Sequence, residues 1–117
     1  MKIVLHPPVS EDLCEQVRRT TPQAEVVMAD GDEVMGAVAD AEVLFGFFSE
    51  EVVRAAKRLK WIQSTSAGMD RLLPQIVDSD IIVTNSSGVH AIQVAEHAWA
   101  LTAVLFRGLH ASFRSQL

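Results

Sequence analysis

Hydrophobic residues along this chain follow two rhythms. Short apolar runs, KIVLH (2–6), AEVVM (24–28), EVLFG (42–46), WIQS (61–64) and IIVTN (81–85), have strand length, and most are rich in β-branched residues. Between them, apolar positions recur three and four residues apart, the spacing of one helix face. Leu13 and Val17 mark such a face behind Ser10, a candidate cap, and predict a helix to about Thr20. Val34, Met35 and Val38 mark a second in DEVMGAVAD (32–40). SEEVVRAAKRL (49–59) predicts a third, with Ser49 as cap and acids ahead of bases, the order that suits the helix dipole. A short helical turn is expected from Asp70, and a long helix from about His90 to Leu109, with Gly108 weakening its end.

Strands that alternate with helices mean βαβ units, right-handed crossovers and a parallel sheet covered on both faces. Five strands in this rhythm predict an α/β, flavodoxin-like three-layer sandwich with strand order 2-1-3-4-5. Residues 1–88 read as its core, and 89–117 as a helix that completes the domain or mediates dimerisation. That last helix carries Ile92, Val94, Trp99, Leu101, Leu105 and Phe106, which wrap most of its circumference. A helix apolar nearly all round expects contacts on more than one side. The second contact is either another copy or protein that this chain lacks. A homodimer through residues 90–113 is expected, with Trp99, Leu105 and Phe106 in contact.

Composition narrows the classes. Hydrophobic residues make up 49% of the 117 positions and charged residues 21%, which is globular and not disordered. The net charge is −5, with acids and bases mixed, and no basic cluster carries interleaved aromatics, so no nucleic-acid surface is expected. Cys14 is the sole cysteine, which excludes an internal disulfide and a cysteine-based metal site. It reads as a small apolar residue of the first helix, and a reducing, cytoplasmic setting fits. MKIVLHPP is too short an apolar run for a signal peptide, and AWALTAVLF (98–106) falls far short of the roughly 20 residues of a membrane span.

In open parallel sheets ligands bind at the carboxyl ends of the strands, which selects HPPVS, ADGD, GFFSE, TSAGMD and NSSGVH. After the first strand Pro7 and Pro8 delete the amide donors that a flavin phosphate needs. The acidic cluster, Asp and Lys of a phospho-acceptor receiver are not at their places either. The six glycines include no Gly-x-Gly pair, so this chain alone is not expected to bind a dinucleotide tightly. In TSAGMD the small residues Ser66, Ala67 and Gly68 let a ligand approach the main chain. Gly68 frees the local conformation, so that successive N–H groups form a concavity for a carboxylate or phosphate, and Asp70 caps the next turn. A plain strand-to-helix turn accounts for the same residues. His6 sits at a strand end and is a candidate to face the cleft, while His90, His97 and His110 offer no metal spacing with a third ligand. Phe45, Phe47 and Phe48 read as packing, and Trp61 and Trp99 as core.

The order of the pieces adds a resemblance. Ala67-Gly68-Met69-Asp70, then Val83-Thr84-Asn85 with Gly88, then Val94-Ala95-Glu96-His97-Ala98 and Arg107, resembles the N-terminal part of the D-isomer-specific 2-hydroxyacid dehydrogenases. The match is strongest over residues 59–109. The resemblance implies a flavodoxin-like substrate domain in which Ser66, Ala67, Gly68 and Met69 present main-chain amides to the carboxylate of a 2-oxo or 2-hydroxy acid. It further implies NAD or NADP on a separate Rossmann domain, which also carries the catalytic Arg, His and acid. None of those catalytic positions falls in this sequence. Arg71, His90 and His97 match family positions that are not catalytic, no residue here is assigned a catalytic or cofactor-binding role, and the chain alone is expected to be inert.

Overall fold

The computed structural model describes residues 1–70 and 74–116. Arg71 and the helical turn expected after Asp70 fall in the gap and lie outside the described residues. The chain divides into two compact units, Met1–Ser87 and Gly88–Leu117.

In the first unit the strands are β1 (Lys2–His6), β2 (Glu25–Met28), β3 (Val43–Gly46), β4 (Trp61–Ser64) and β5 (Ile82–Thr84). They form one five-stranded sheet of order β2-β1-β3-β4-β5, every pairing parallel, as the rhythm of the sequence predicts. Successive side chains on a strand point to opposite faces, and both faces carry core. Val4, Leu44 and Ile62 pack on one face under Val34 and Val38 of α2 (Glu33–Val38), Val52 and Val53 of α3 (Glu50–Ala55) and Ile76 of α4 (Pro74–Val77). Ile3, Leu5 and Val43 pack on the other with Cys14 of α1 (Glu11–Thr20), which is fully buried and acts as the apolar residue expected.

Two helices start where their serines predict. Ser10 Oγ accepts the Leu13 N–H at 3.4 Å and Ser49 Oγ the Val52 N–H at 3.3 Å, each satisfying an orphan donor of a first turn. α3 stops at Ala55, four residues before the predicted end at Leu59. Ala56 closes it by donating to the Val52 carbonyl, and the exposed turn at Lys57 and Arg58 then swings Leu59 into the core. An unbroken helix would carry Leu59 elsewhere, so burial wins over propensity.

The α1 side of the sheet is not covered to its edge. Trp61 shares a face with Val43 but is 42% exposed, and its neighbour Ile82 on β5 is 63% exposed. The expectation that Trp61 is core is therefore wrong. Its indole Nε1–H instead donates to Thr84 Oγ1 at 2.7 Å, laying the ring along the sheet surface.

The second unit holds α5 (Ala91–Phe106) and α6 (Leu109–Arg114). The single helix expected to Leu109 breaks early because Gly108 takes a left-handed φ of 64°, which glycine alone adopts without steric cost. None of the described residues of this unit is buried. Trp99, expected in the core, is 74% exposed, and Phe106 is 87% exposed. Among the described residues no helix is long and apolar enough to cross a membrane.

Candidate functional site

The carboxyl end of β4 is built from its own hydroxyls. Ser64 is a buried polar residue, and its Oγ accepts the Ser66 N–H at 3.1 Å, which folds the chain back as it leaves the strand. The loop after β5 then stitches the next residues down. Ser86 donates its N–H to the Ser66 carbonyl at 3.0 Å and its hydroxyl to the Ser64 carbonyl at 3.1 Å. Asn85 Nδ2 donates to the Ala67 carbonyl at 3.0 Å, while its Oδ1 accepts the Ser87 N–H at 3.3 Å.

These bonds set the direction of the amides. The one cis peptide among the described residues is His6–Pro7, so the peptides of this loop are trans and each carbonyl is antiparallel to the next residue's N–H. With the Ser66 and Ala67 carbonyls held toward the β5 side, the N–H groups of Ala67 and Gly68 point away from it. Among the described residues neither they nor the Met69 N–H meets an acceptor.

Beyond the ends of β3 and β4 lies a cleft of about 300 Å³. Gly46, Phe47 and Phe48 form its wall from the end of β3. Ser64 at the end of β4 lines it as well, with Ser66, Gly68, Met69 and Asp70 of the following loop. Gly46 has φ 118°, and a Cβ there would collide with the His6 carbonyl oxygen, which also accepts the Phe47 N–H at 2.6 Å. Only glycine lets β3 end so close to β1. Phe45 packs beside the second core cluster and Phe48 against the first, as expected, while Phe47 and Phe48 also line the cleft, which was not expected. Their place in a loop at a strand's carboxyl end was the available signal, and aromatic bulk concealed it.

Of the four residues singled out from the sequence, Ser66, Gly68 and Met69 line the cleft, and Ala67 lies between them without contributing to its wall. Two details of the expectation change. The Ser66 N–H is already committed to Ser64, which leaves Ser66 its hydroxyl. Gly68 is not among the glycines of positive φ, so its role is the absence of a side chain and not a left-handed twist. A Cβ on it would come within 3.4 Å of Asp70 Oδ2, so a carboxylate stands next to the open amides. The cap assigned to Asp70 falls on the turn outside the described residues.

His6 does not line the cleft. Its Nδ1 is 3.0 Å from the Ala29 carbonyl, toward β2. His90 precedes α5 and His97 lies on it, within the second unit. Among the described residues no group of three or more His, Cys, Asp or Glu is placed to hold a metal ion. The carboxyls held below their usual range are Asp40, by its hydrogen bond from Lys2, and Glu42, by its hydrogen bond from Lys60. Both lie at the amino ends of the strands, opposite the cleft.

A dinucleotide does not fit these residues. At the end of β1, Pro7 and Pro8 offer no N–H to a pyrophosphate, and the Phe47 N–H beside them is taken by His6. The glycines of positive φ, Gly31, Gly46, Gly88 and Gly108, stand singly in separate turns.

Comparison with known proteins bears on the family and the fold. The sequence profile described as D-isomer specific 2-hydroxyacid dehydrogenase, catalytic domain, matches residues 3–114. A D-3-phosphoglycerate dehydrogenase of Archaeoglobus fulgidus is 29% identical over 98% of this chain, which spans 23% of that relative's length. Among solved structures, a Pyrococcus horikoshii protein superposes with a TM-score of 0.73 at 25% identity, over 97% of this chain and 35% of its own. The 3-phosphoglycerate dehydrogenase of Entamoeba histolytica, solved with bound NAD+, gives 0.65 at 26% identity, over 92% of this chain and 39% of its own. Sheet order and sequence thus converge, and the chain belongs to the D-isomer specific 2-hydroxyacid dehydrogenase family, matching its catalytic domain.

Proposed function

We propose that the bend after β4 receives the carboxylate of a small 2-oxo or 2-hydroxy acid on the N–H groups of Ala67, Gly68 and Met69. The observation that carries this reading is the pinning of the Ser66 and Ala67 carbonyls by Ser86 and Asn85. Amides held in place before the ligand arrives bind an anion without a cost of ordering, and charge-assisted N–H···O bonds are the stronger kind. The Ser66 hydroxyl adds a donor at the rim.

On this reading the chain is the substrate-holding domain of an NAD(P)-dependent oxidoreductase that interconverts 2-oxo and 2-hydroxy acids. The nucleotide, the orienting Arg and the proton-handling His belong to a Rossmann domain as its partner. The chain of 117 residues is accordingly inert by itself. Loss of acid–base assistance alone costs about 10²–10⁴-fold in rate. Purified chain mixed with NADH or NADPH and glyoxylate, pyruvate or hydroxypyruvate is expected to show no oxidation above the protein-free rate. Turnover that disappears in His90→Ala or His97→Ala would contradict the assignment. A reducing cytoplasm suits the buried thiol of Cys14.

A second reading rests on the exposed apolar residues of α5: a flavodoxin-like module that associates through residues 90–113 as a homodimer. Trp99, Leu105 and Phe106 are its proposed contacts. The two readings are compatible, since one concerns a cleft and the other a helix. Sedimentation at tens of micromolar is expected to give a dimer, and a clean monomer would refute the interface.

A further inference from the structure

The cleft that we propose to hold the carboxylate also has an opinion about the rest of the ligand. Phe47, Phe48 and Met69 line it, and Asp70 is the one charged residue among its described lining residues. No Lys or Arg is among the described lining residues. Phe48 is packed partly into the core and gives a fixed apolar surface, whereas Phe47 is 66% exposed and presents its ring to whatever enters. An acid held at Ala67–Met69 by its carboxylate therefore extends its third carbon and beyond toward aromatic rings and a thioether. Those groups reward apolar and aromatic tails, and they offer nothing to a second anion.

From this we infer that the site selects 2-oxo and 2-hydroxy acids with an apolar or aromatic side chain and disfavours those with a phosphorylated one. The inference rests on the carboxylate reading given above. A phosphate carries nearly two negative charges at neutral pH and demands cationic or multiple N–H partners. Here the main-chain donors are engaged by the carboxylate, and Asp70 adds repulsion close by. One negative head is accommodated; a second meets a like charge across a partly desolvated cleft.

The test compares three ligands with the same head and different tails: D-lactate, D-3-phenyllactate and D-3-phosphoglycerate. Each is titrated into the full chain while the backbone amide resonances are followed. All three are expected to shift Ala67 and Gly68, with phenyllactate binding about tenfold tighter than lactate and phosphoglycerate weaker than lactate. The variant Phe47→Ala, at an exposed position that leaves the core intact, is expected to shrink the difference between phenyllactate and lactate to about twofold. Equal affinities for all three, or tightest binding of phosphoglycerate, would overturn the selectivity while leaving the carboxylate site standing. Shifts at Gly68 from none of them would overturn both.

Discussion

The units Met1–Ser87 and Gly88–Leu117 use the same kind of residue to opposite ends. In the first, Leu5, Leu44 and Ile62 are fully buried; in the second, Trp99, Leu105 and Phe106 are exposed, and none of the described residues is buried. The contrast is sharpest between two helices. α1 turns Cys14 inward and dresses its outer side with the Arg18–Glu11 and Arg19–Glu15 ion pairs. α5 has no comparable polar back, and the apolar residues run round it. Hydrophobicity alone therefore does not make a core. A core needs a mate of matching period, which sheet and helices in the first unit give each other. The exposed apolar residues of α5 are area that a partner would hide, each Å² hidden from water contributing about 25 cal/mol.

The largest effect expected from this contrast is on folding. Leu44→Ala empties a site closed on all sides and should cost about 2–5 kcal/mol in denaturant unfolding. A loss under 1 kcal/mol would mean the sheet unit is not packed as described. Ser49→Ala removes a cap and should cost about 1 kcal/mol, since the Val52 N–H loses its acceptor. Trp99→Ala, the bulkiest truncation of the series, should change unimolecular stability by no more than about 0.5 kcal/mol, because the ring is exposed. The same variant should weaken self-association in sedimentation. If it instead unfolds the chain, the two units are not the opposites drawn here.

The smallest effect concerns acid. Asp40 and Glu42 have folded-state pKa values below their ordinary ones, so their contribution is present above the usual carboxylate range and is lost as pH falls through the lowered values. Both carboxyls sit at solvent-facing ion pairs, so the effect is small and fades in high salt. Lys2→Ala and Lys60→Ala together should flatten the salt-sensitive part of the acid limb in a melting-temperature series. An unchanged limb would show that these pairs contribute nothing.

Much of the first unit was legible because its signals are local. Short apolar runs gave the strands to within a residue or two, Ser10 and Ser49 announced their helices, and alternation of elements gave the strand order. Errors arose where distant parts decide. Leu59 ended α3 early because it is needed in the core. Trp61 and Trp99 look like core residues by type, yet exposure depends on what covers them, and type says nothing of that. At the candidate site, the small residues Ser66 to Gly68 drew attention to a loop that borders the cleft. The anchors Ser64, Asn85 and Ser86 were concealed, since hydrogen bonds between loops after different strands leave no spacing in the sequence. Asn85 stood inside a family motif, but only coordinates reveal that it holds the Ala67 carbonyl.

The central claim is that this held loop offers free amides to an organic acid. Crystallised with saturating D-lactate, the chain should show the carboxylate oxygens about 2.7–3.2 Å from the Ala67 and Gly68 nitrogens, with the Asn85 and Ser86 bonds to the loop intact. A carboxylate bound elsewhere, or those two nitrogens found donating to the protein's own carbonyls, would contradict it.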